Sequence, residues 1–497
     1  MIGSRGPGAR GRLVCLVFVV AAQLSAASLA QEIDRLVNAS SEAQRAFWGV
    51  QVVDLASGRT LYAHNAGSLF VPASNAKLFT LALALARLGP DYRFQTRVLA
   101  EQPPDADGRV TGGLRLVGSG DPNLSGRTIP YQPAAASGNP LAAIDALADQ
   151  VAARGVKRVV DGIVGDDTWY VWEPYPEGWA VDDTQFDYGA PVSALSVNDN
   201  AISVTVRPGA AAGDLAAITV NPAFDYYTIQ NQVQTVGARG TRQVYAERFP
   251  GSRQVRLRGT LPLRAAPEEI LLAVDDPAEF AARALRHALE ERSIVVDGDT
   301  RAQHRYADEA APPDPAGVEL ARLDSAPLLE DLRVTAKVSQ NLHAEMALRA
   351  VARARGQDGS REAGLAVMKA FLGEVGILDD SYHFSDGSGL ARLDLVTPAA
   401  ILRLLRFLYD SPQREDWISL LPVGGRDGTL DTRFLTGPAT GRIHAKTGTL
   451  THVSALSGYA ERRNGRWVAF SILVNNYNGH AADVRGVMDR ICALIVE

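Results

Sequence analysis

Lysine is scarce in this 497-residue chain: five (Lys77, Lys157, Lys337, Lys369 and Lys446) stand against 45 arginines. A coding bias toward arginine accounts for the skew. It also makes each remaining lysine a candidate for work that a guanidinium cannot do, above all losing a proton. Cysteine is scarcer, with Cys15 and Cys492 alone. Cys15 falls in the leader described below, so no intrachain disulfide is expected in the mature chain. No apolar run after residue 30 is long enough for a membrane span, and the closing "DRICALIVE" reads as the end of a packed helix. A basic excess is missing too: the net charge of −6 excludes the basic face of a nucleic-acid binder. There is no G-x-S-x-G elbow, which removes the main signature of an α/β-hydrolase. The eight histidines, His343, His444 and His452 among them, show no H-E-x-x-H or other close ligand spacing. They read as surface or packing residues, and neither a metal nor an organic cofactor is expected.

The first thirty residues read as a cleavable signal peptide. Arg5, Arg10 and Arg12 precede the short apolar run "LVCLVFVVAAQL", and Ser28 to Ala30 offer small residues for cleavage before Gln31. Cys15 lies too early in that run for a lipoprotein anchor. An exported protein of the periplasm is expected. The length predicts two or three domains. Residues 46–67 alternate apolar and polar positions around "ASGR", as a hairpin does. A second hairpin is predicted to turn at Asn464–Gly465, with a helix over 481–495 closing the chain. Residues 95–320 are rich in Gly, Pro, Asp and short β-branched runs, with one helix near 277–292. The expected architecture is a mixed α/β (α+β) catalytic domain built from both chain ends and interrupted by a long, mostly β insertion.

Three short motifs carry chemistry. In "FVPASNAKLFT", Ser74 and Lys77 are three apart where an apolar helix begins, so both side chains share one helix face. Taken alone, this reads as an N-capping serine with an incidental lysine. It also suits a nucleophile whose base is a desolvated lysine, with the serine N–H at the positive end of the helix dipole. In "AKTGTL", Lys446, Thr447 and Gly448 offer a cation, a hydroxyl and a residue without a side chain, where a peptide with a terminal carboxylate could lie against a strand. The third is Ser339-Gln340-Asn341. Ser-x-Asn recurs at Ser196 to Asn198, so the tripeptide discriminates poorly; Ser339 is preferred because it follows the insertion.

In this order, S-x-x-K, S-x-N and K-T-G resemble the penicillin-recognising serine acyl-enzymes. Together with "GSGDPNL", "YGAPVSALSVNDN", "DGSGLARLDLVTP" and "LPVGGRDGTL" they resemble the D-alanyl-D-alanine carboxypeptidase/endopeptidase family, the low-molecular-mass class C penicillin-binding proteins. The resemblance implies a β-lactamase/transpeptidase-like domain with two nested inserted domains: a catalytic domain of 31–94 and 321–497, domain II of 95–120 and 195–320, and domain III of 121–194. It implies peptidoglycan stem peptides and β-lactams as partners, and an acyl-enzyme on Ser74. Lys77 would take the serine proton and Ser339, with Lys446, would relay one to the leaving amine. Asn341 would bind the acyl side, and Lys446, Thr447 and Thr449 the terminal carboxylate. The N–H groups of Ser74 and Thr449 would form the oxyanion hole, and Lys446 would supply the charge that keeps Lys77 neutral. Gln340 departs from the family's usual aspartate. Asp166 or Asp167 could meet an amine of the stem peptide, although a structural turn is the preferred reading. The alternatives are a β-lactamase of the same superfamily and a catalytically silent peptidoglycan-binding protein. Oligomeric state is not legible.

Overall fold

A computed structural model describes residues 29–38, 44–133 and 138–497. Of the expected leader, only Leu29 and Ala30 fall within the described residues.

Both predicted hairpins form, and they share one sheet. Strands β1 (Phe47–Asp54) and β2 (Thr60–His64) come from the start of the chain; β3 (Ile443–Leu450), β4 (Val453–Glu461) and β5 (Trp467–Asn475) come from its end. The order is β2-β1-β5-β4-β3, antiparallel throughout, so β1 pairs along its whole length with β5. Side chains alternate across a strand, and each face of β5 has its own core. Val468, Phe470, Ile472 and Val474 pack with Val484, Met488, Ile491 and Cys492 of the closing helix, whereas Ala469 and Leu473 face the other helices. Those helices are α1 (Lys77–Leu88), α2 (Leu328–Lys337), α3 (Asn341–Ala354), α4 (Arg361–Val375) and α5 (Pro398–Tyr409); the closing helix α6 is Ala481–Val496. α1 is buried on every side from Lys77 to Leu85, which fits its unbroken apolar sequence. Gly89 ends it with φ 83°.

The insertion is mostly β. A five-stranded sheet runs in the order Thr300–Gln303, Ile163–Asp166, Leu114–Val117, Gln95–Ala100, Val318–Asp324. Residues 163–166 therefore pair with 114–117 on one side and 300–303 on the other. Two three-stranded sheets lie wholly between 201 and 273: Ala201–Arg207 with Ala217–Asn221 and Glu268–Ala273, and Thr228–Val236 with Gln254–Pro262 and Gln243–Glu247. Val318–Asp324 pairs antiparallel with Gln95–Ala100 and runs directly into the approach to α2. Sheet membership depends on partners far along the chain, which local composition does not encode.

Candidate active site

Ser74 does not cap a helix. Ala73–Ala76 forms a 3-10 turn ahead of α1, and no side chain caps either element. The turn is pinned at three points. Asn475, at the end of β5, accepts from the Val71 N–H (2.8 Å) and donates to the Val71 carbonyl (3.1 Å). Asn75 Nδ2 donates to the Lys446 carbonyl on β3 (3.0 Å). Ala73 is held at φ 47°, a left-handed conformation rare for a residue with a Cβ. Gly448 explains part of this closeness. A Cβ there would lie 2.8 Å from the Pro72 carbonyl oxygen and 3.1 Å from Ala73 Cβ. The space its missing side chain leaves is filled by the protein's own turn.

With the turn so fixed, the three motifs converge. Lys77 Nζ, completely buried, lies 2.9 Å from Ser74 Oγ, 2.5 Å from Asn341 Oδ1 and 2.7 Å from the Ser388 carbonyl. Lys446, equally buried, donates to Ser339 Oγ (2.8 Å) and to the Thr447 carbonyl (2.9 Å). Ser74 is half-buried and Thr449 exposed, so one side of the cluster opens to solvent. Thr447 Oγ1 donates to Thr429 Oγ1 (2.7 Å), which brings the "GGRDGTL" segment to the site. Asn341 Nδ2 donates to the Tyr188 carbonyl (2.7 Å), so the insertion contributes a wall.

Burial is the main cause that pulls Lys77 down, to about 8; the carboxylates of Asp386, Glu345 and Asp394 act in the opposite sense and are outweighed. Lys446 is lowered well below the usual amine range, by burial first and by the charge of Lys77 second. Repulsion between two buried ammonium groups disfavours both being charged at once.

The loop 385–394, which carries the quoted "DGSGLARLD", makes backbone contacts that the sequence did not specify. The Asp386 carboxylate accepts from the N–H groups of Ser388 (3.0 Å), Gly389 (2.6 Å) and Ala391 (2.9 Å), and from Trp179 Nε1 (2.8 Å). Gly387 N–H donates to the buried Glu345 (2.7 Å). The tight loop presents the Ser388 carbonyl to Lys77, and its acceptor is a backbone atom that no side-chain motif announces. Gly389 stands at φ 78°, and a Cβ there would lie 2.0 Å from the Ala73 carbonyl oxygen. Gly389→Ala is therefore expected to destabilise the protein by about 2–4 kcal/mol, from backbone strain and collision together, and to slow reaction at Ser74. Denaturant unfolding checks the first and penicillin labelling the second.

The remaining candidates lie elsewhere. Asp166 pairs with Arg115 (2.8 Å), and Asp167 with His304 (2.9 Å) and Ser193 (2.8 Å), all within the insertion. Both carboxylates are buried, which fits their structural reading. Ser196 and Asn198 bond locally, to Ser193 and Ala201. His444 is half-buried and lowered to about 4 by desolvation, and His452 bonds the Tyr477 carbonyl. Among the described residues no group of three or more His, Cys, Asp or Glu is placed to hold a metal ion.

An antiparallel sheet covered by helices on both faces, with a Ser–Lys pair beside its edge strand and a Ser–Lys contact across from it, is the architecture of the serine peptidases that react with penicillin. The chain belongs to the D-Ala-D-Ala carboxypeptidase 3 (S13) family, whose sequence model matches residues 29–495. It is 36% identical, over 461 residues, to a D-alanyl-D-alanine carboxypeptidase of an Actinomadura species, which covers 90% of this chain and 81% of that one. Its fold matches the crystal structure of penicillin binding protein 4 from Haemophilus influenzae with a TM-score of 0.78 at 22% identity, over 93% of this chain and 98% of that one. The same Haemophilus protein complexed with a β-lactam matches with a TM-score of 0.74 at 21% identity, again over 93% and 98%.

Proposed function

We propose that this S13 peptidase cleaves the D-Ala-D-Ala bond of peptidoglycan stem peptides, in monomeric and cross-linked form, through an acyl-enzyme on Ser74. The observation that carries the reading is the double contact of Lys77 with Ser74 and Lys446 with Ser339. Ser74 Oγ attacks the carbonyl carbon while Lys77, as the neutral amine, accepts its proton. The leaving D-alanine amine then receives a proton by way of Ser339, with Lys446 behind it. The departing carboxylate binds Lys446, Thr447 and Thr449; its charge favours protonated Lys446, and protonated Lys446 in turn pushes Lys77 toward the neutral form. Strand alternation supports an oxyanion site at Thr449. Ala445 N–H points off the outer edge of β3 to the Pro422 carbonyl, so the N–H groups of Thr447 and Thr449 point to that same edge. Water on the acyl-enzyme completes the turnover, and β-lactams stop at that stage.

The leader pattern and the location of the substrate support work in the periplasm. No helix among the described residues is long and apolar enough to cross a membrane. The sheet memberships support a catalytic unit interrupted by an outer insertion, which is itself interrupted over 201–273.

Mass spectrometry of the products from purified monomeric and cross-linked muropeptides tests the reading. Release of D-alanine from the first and conversion of the second to monomers are expected. A penicillin adduct lost within seconds would favour the β-lactamase alternative, and no adduct at all the silent binding protein. The rate of acylation should rise with pH through about 8 and then level, because only deprotonated Lys77 can act as base. A stopped-flow series from pH 6 to 10 checks this, and a rate falling over that range contradicts it.

A further inference from the structure

The "SVNDN" segment, whose Ser-x-Asn the site does not use, reaches the site from the insertion by another residue. Asn198, Asp199 and Asn200 all adopt left-handed backbone, with φ of 51°, 55° and 53°. Three such residues in a row are costly for side chains with a Cβ, and local bonds hold the turn. Asn198 Nδ2 donates to the Ala201 carbonyl (2.8 Å), and Asn200 Nδ2 to the Pro191 carbonyl (2.9 Å) and to Ser196 Oγ (3.0 Å).

The turn aims Asp199 at the start of α3. Its Oδ2 accepts from Gln340 Nε2 (2.9 Å) and from Arg127 (2.5 Å), and its Oδ1 accepts from Arg127 (3.1 Å) and lies 3.0 Å from His343 Nε2. His343 is completely buried, and its other ring nitrogen is 2.7 Å from Asp331 Oδ1. Burial opposes charge on this pair, but the ion contacts prevail: Asp199 is held well below the usual carboxylate range, and His343 is raised to about 9. Gln340 stands between Ser339 and Asn341, and its amide acts at both ends. Oε1 accepts from the Leu342 N–H (3.1 Å) and caps α3, while Nε2 donates to Asp199. Ser339 itself is left-handed, at φ 63°, so its backbone is not in a conformation that serine prefers. Glutamine at 340 thus fits its partner; an aspartate there could cap α3 but would set a carboxylate against Asp199.

We propose that Asp199 is a positioning residue for acyl transfer, tethering Gln340 and so fixing the turn that presents Ser339 to Lys446 and Asn341 to Lys77. The proposal rests on the acyl-enzyme reading of Ser74. It gives the insertion a direct part in the chemistry, through a residue that touches neither substrate nor nucleophile.

Gln340→Glu keeps the cap on α3 but replaces the donor with a carboxylate facing Asp199. Asp199→Asn removes the charge and supplies an amide. Each single variant is expected to lower the rate constant for acylation by a fluorescent penicillin about tenfold or more, the scale of a charged hydrogen bond. In the double variant the amide and carboxylate have exchanged places, and acylation should return to within about threefold of the unmutated protein. Unfolding midpoints are measured alongside, since a merely structural role would move those without a reciprocal rescue of rate. Losses that multiply in the double variant, or a Gln340→Glu protein acylated at the unmutated rate, would overturn the role of Asp199. Absence of any adduct on the unmutated protein would instead overturn the acyl-enzyme reading beneath it.

Discussion

Ser74→Ala is expected to yield a folded protein that takes no penicillin label. The hydroxyl of Ser74 holds nothing in place: the turn is pinned by Asn475 and Asn75, and Lys77 keeps Asn341 Oδ1 and the Ser388 carbonyl when Ser74 Oγ is gone. Loss of that single contact should cost about 1 kcal/mol or less. Loss of the only oxygen within reach of Lys77 that can form the ester removes the covalent step altogether. Intact mass after incubation with a β-lactam, together with an unfolding curve, separates the two effects. An adduct of unchanged yield would mean that another residue is the nucleophile.

Lys77→Arg should slow acylation by about 10²–10⁴-fold, the usual contribution of a positioned base. The charge is kept, but a guanidinium does not give up its proton at any pH the protein survives. Arginine is also bulkier, and Lys77 is completely buried among Asn341, Ser388 and Ser74. Lys77→Gln therefore serves as the companion, since it adds no bulk and is equally unable to act as base. Both variants should be slow while Lys369→Arg, at an exposed lysine paired with Asp379, reacts as the unmutated protein does. Acylation of both Lys77 variants at the normal rate would remove Lys77 from its role.

The catalytic half was legible because its signals are local. Two hairpins and one apolar helix are written in periods of two and in an unbroken apolar run, and the first motif places Ser74 and Lys77 within a turn of each other. Lysine scarcity drew attention to residues of more than one kind. Three of the five lysines are buried, but Lys337 is neutralised by Asp427 (2.7 Å) and donates to the Leu421 carbonyl (2.7 Å), which is a structural task. What was not legible depends on distant partners or on backbone atoms. Nothing in "GIVGDD" says that it pairs with 114–117 on one side and 300–303 on the other. The Ser388 carbonyl is chemically like every other carbonyl until the loop around Asp386 turns it toward Lys77. Asp199 looked like one more polar residue in a turn, because its four contacts come from Arg127, Gln340 and His343, each far off in sequence.

The pairing of β1 with β5 has a further consequence, in time. Val71, three residues before Ser74, is clasped by Asn475, 404 residues later. During synthesis the segment that carries Ser74 emerges early, yet neither the strand that flanks it nor Asn475 exists until most of the chain has been made. Lys446 and its edge strand arrive equally late. The turn that carries Ser74 is therefore pinned only after the hairpin of β4 and β5 has docked against β1.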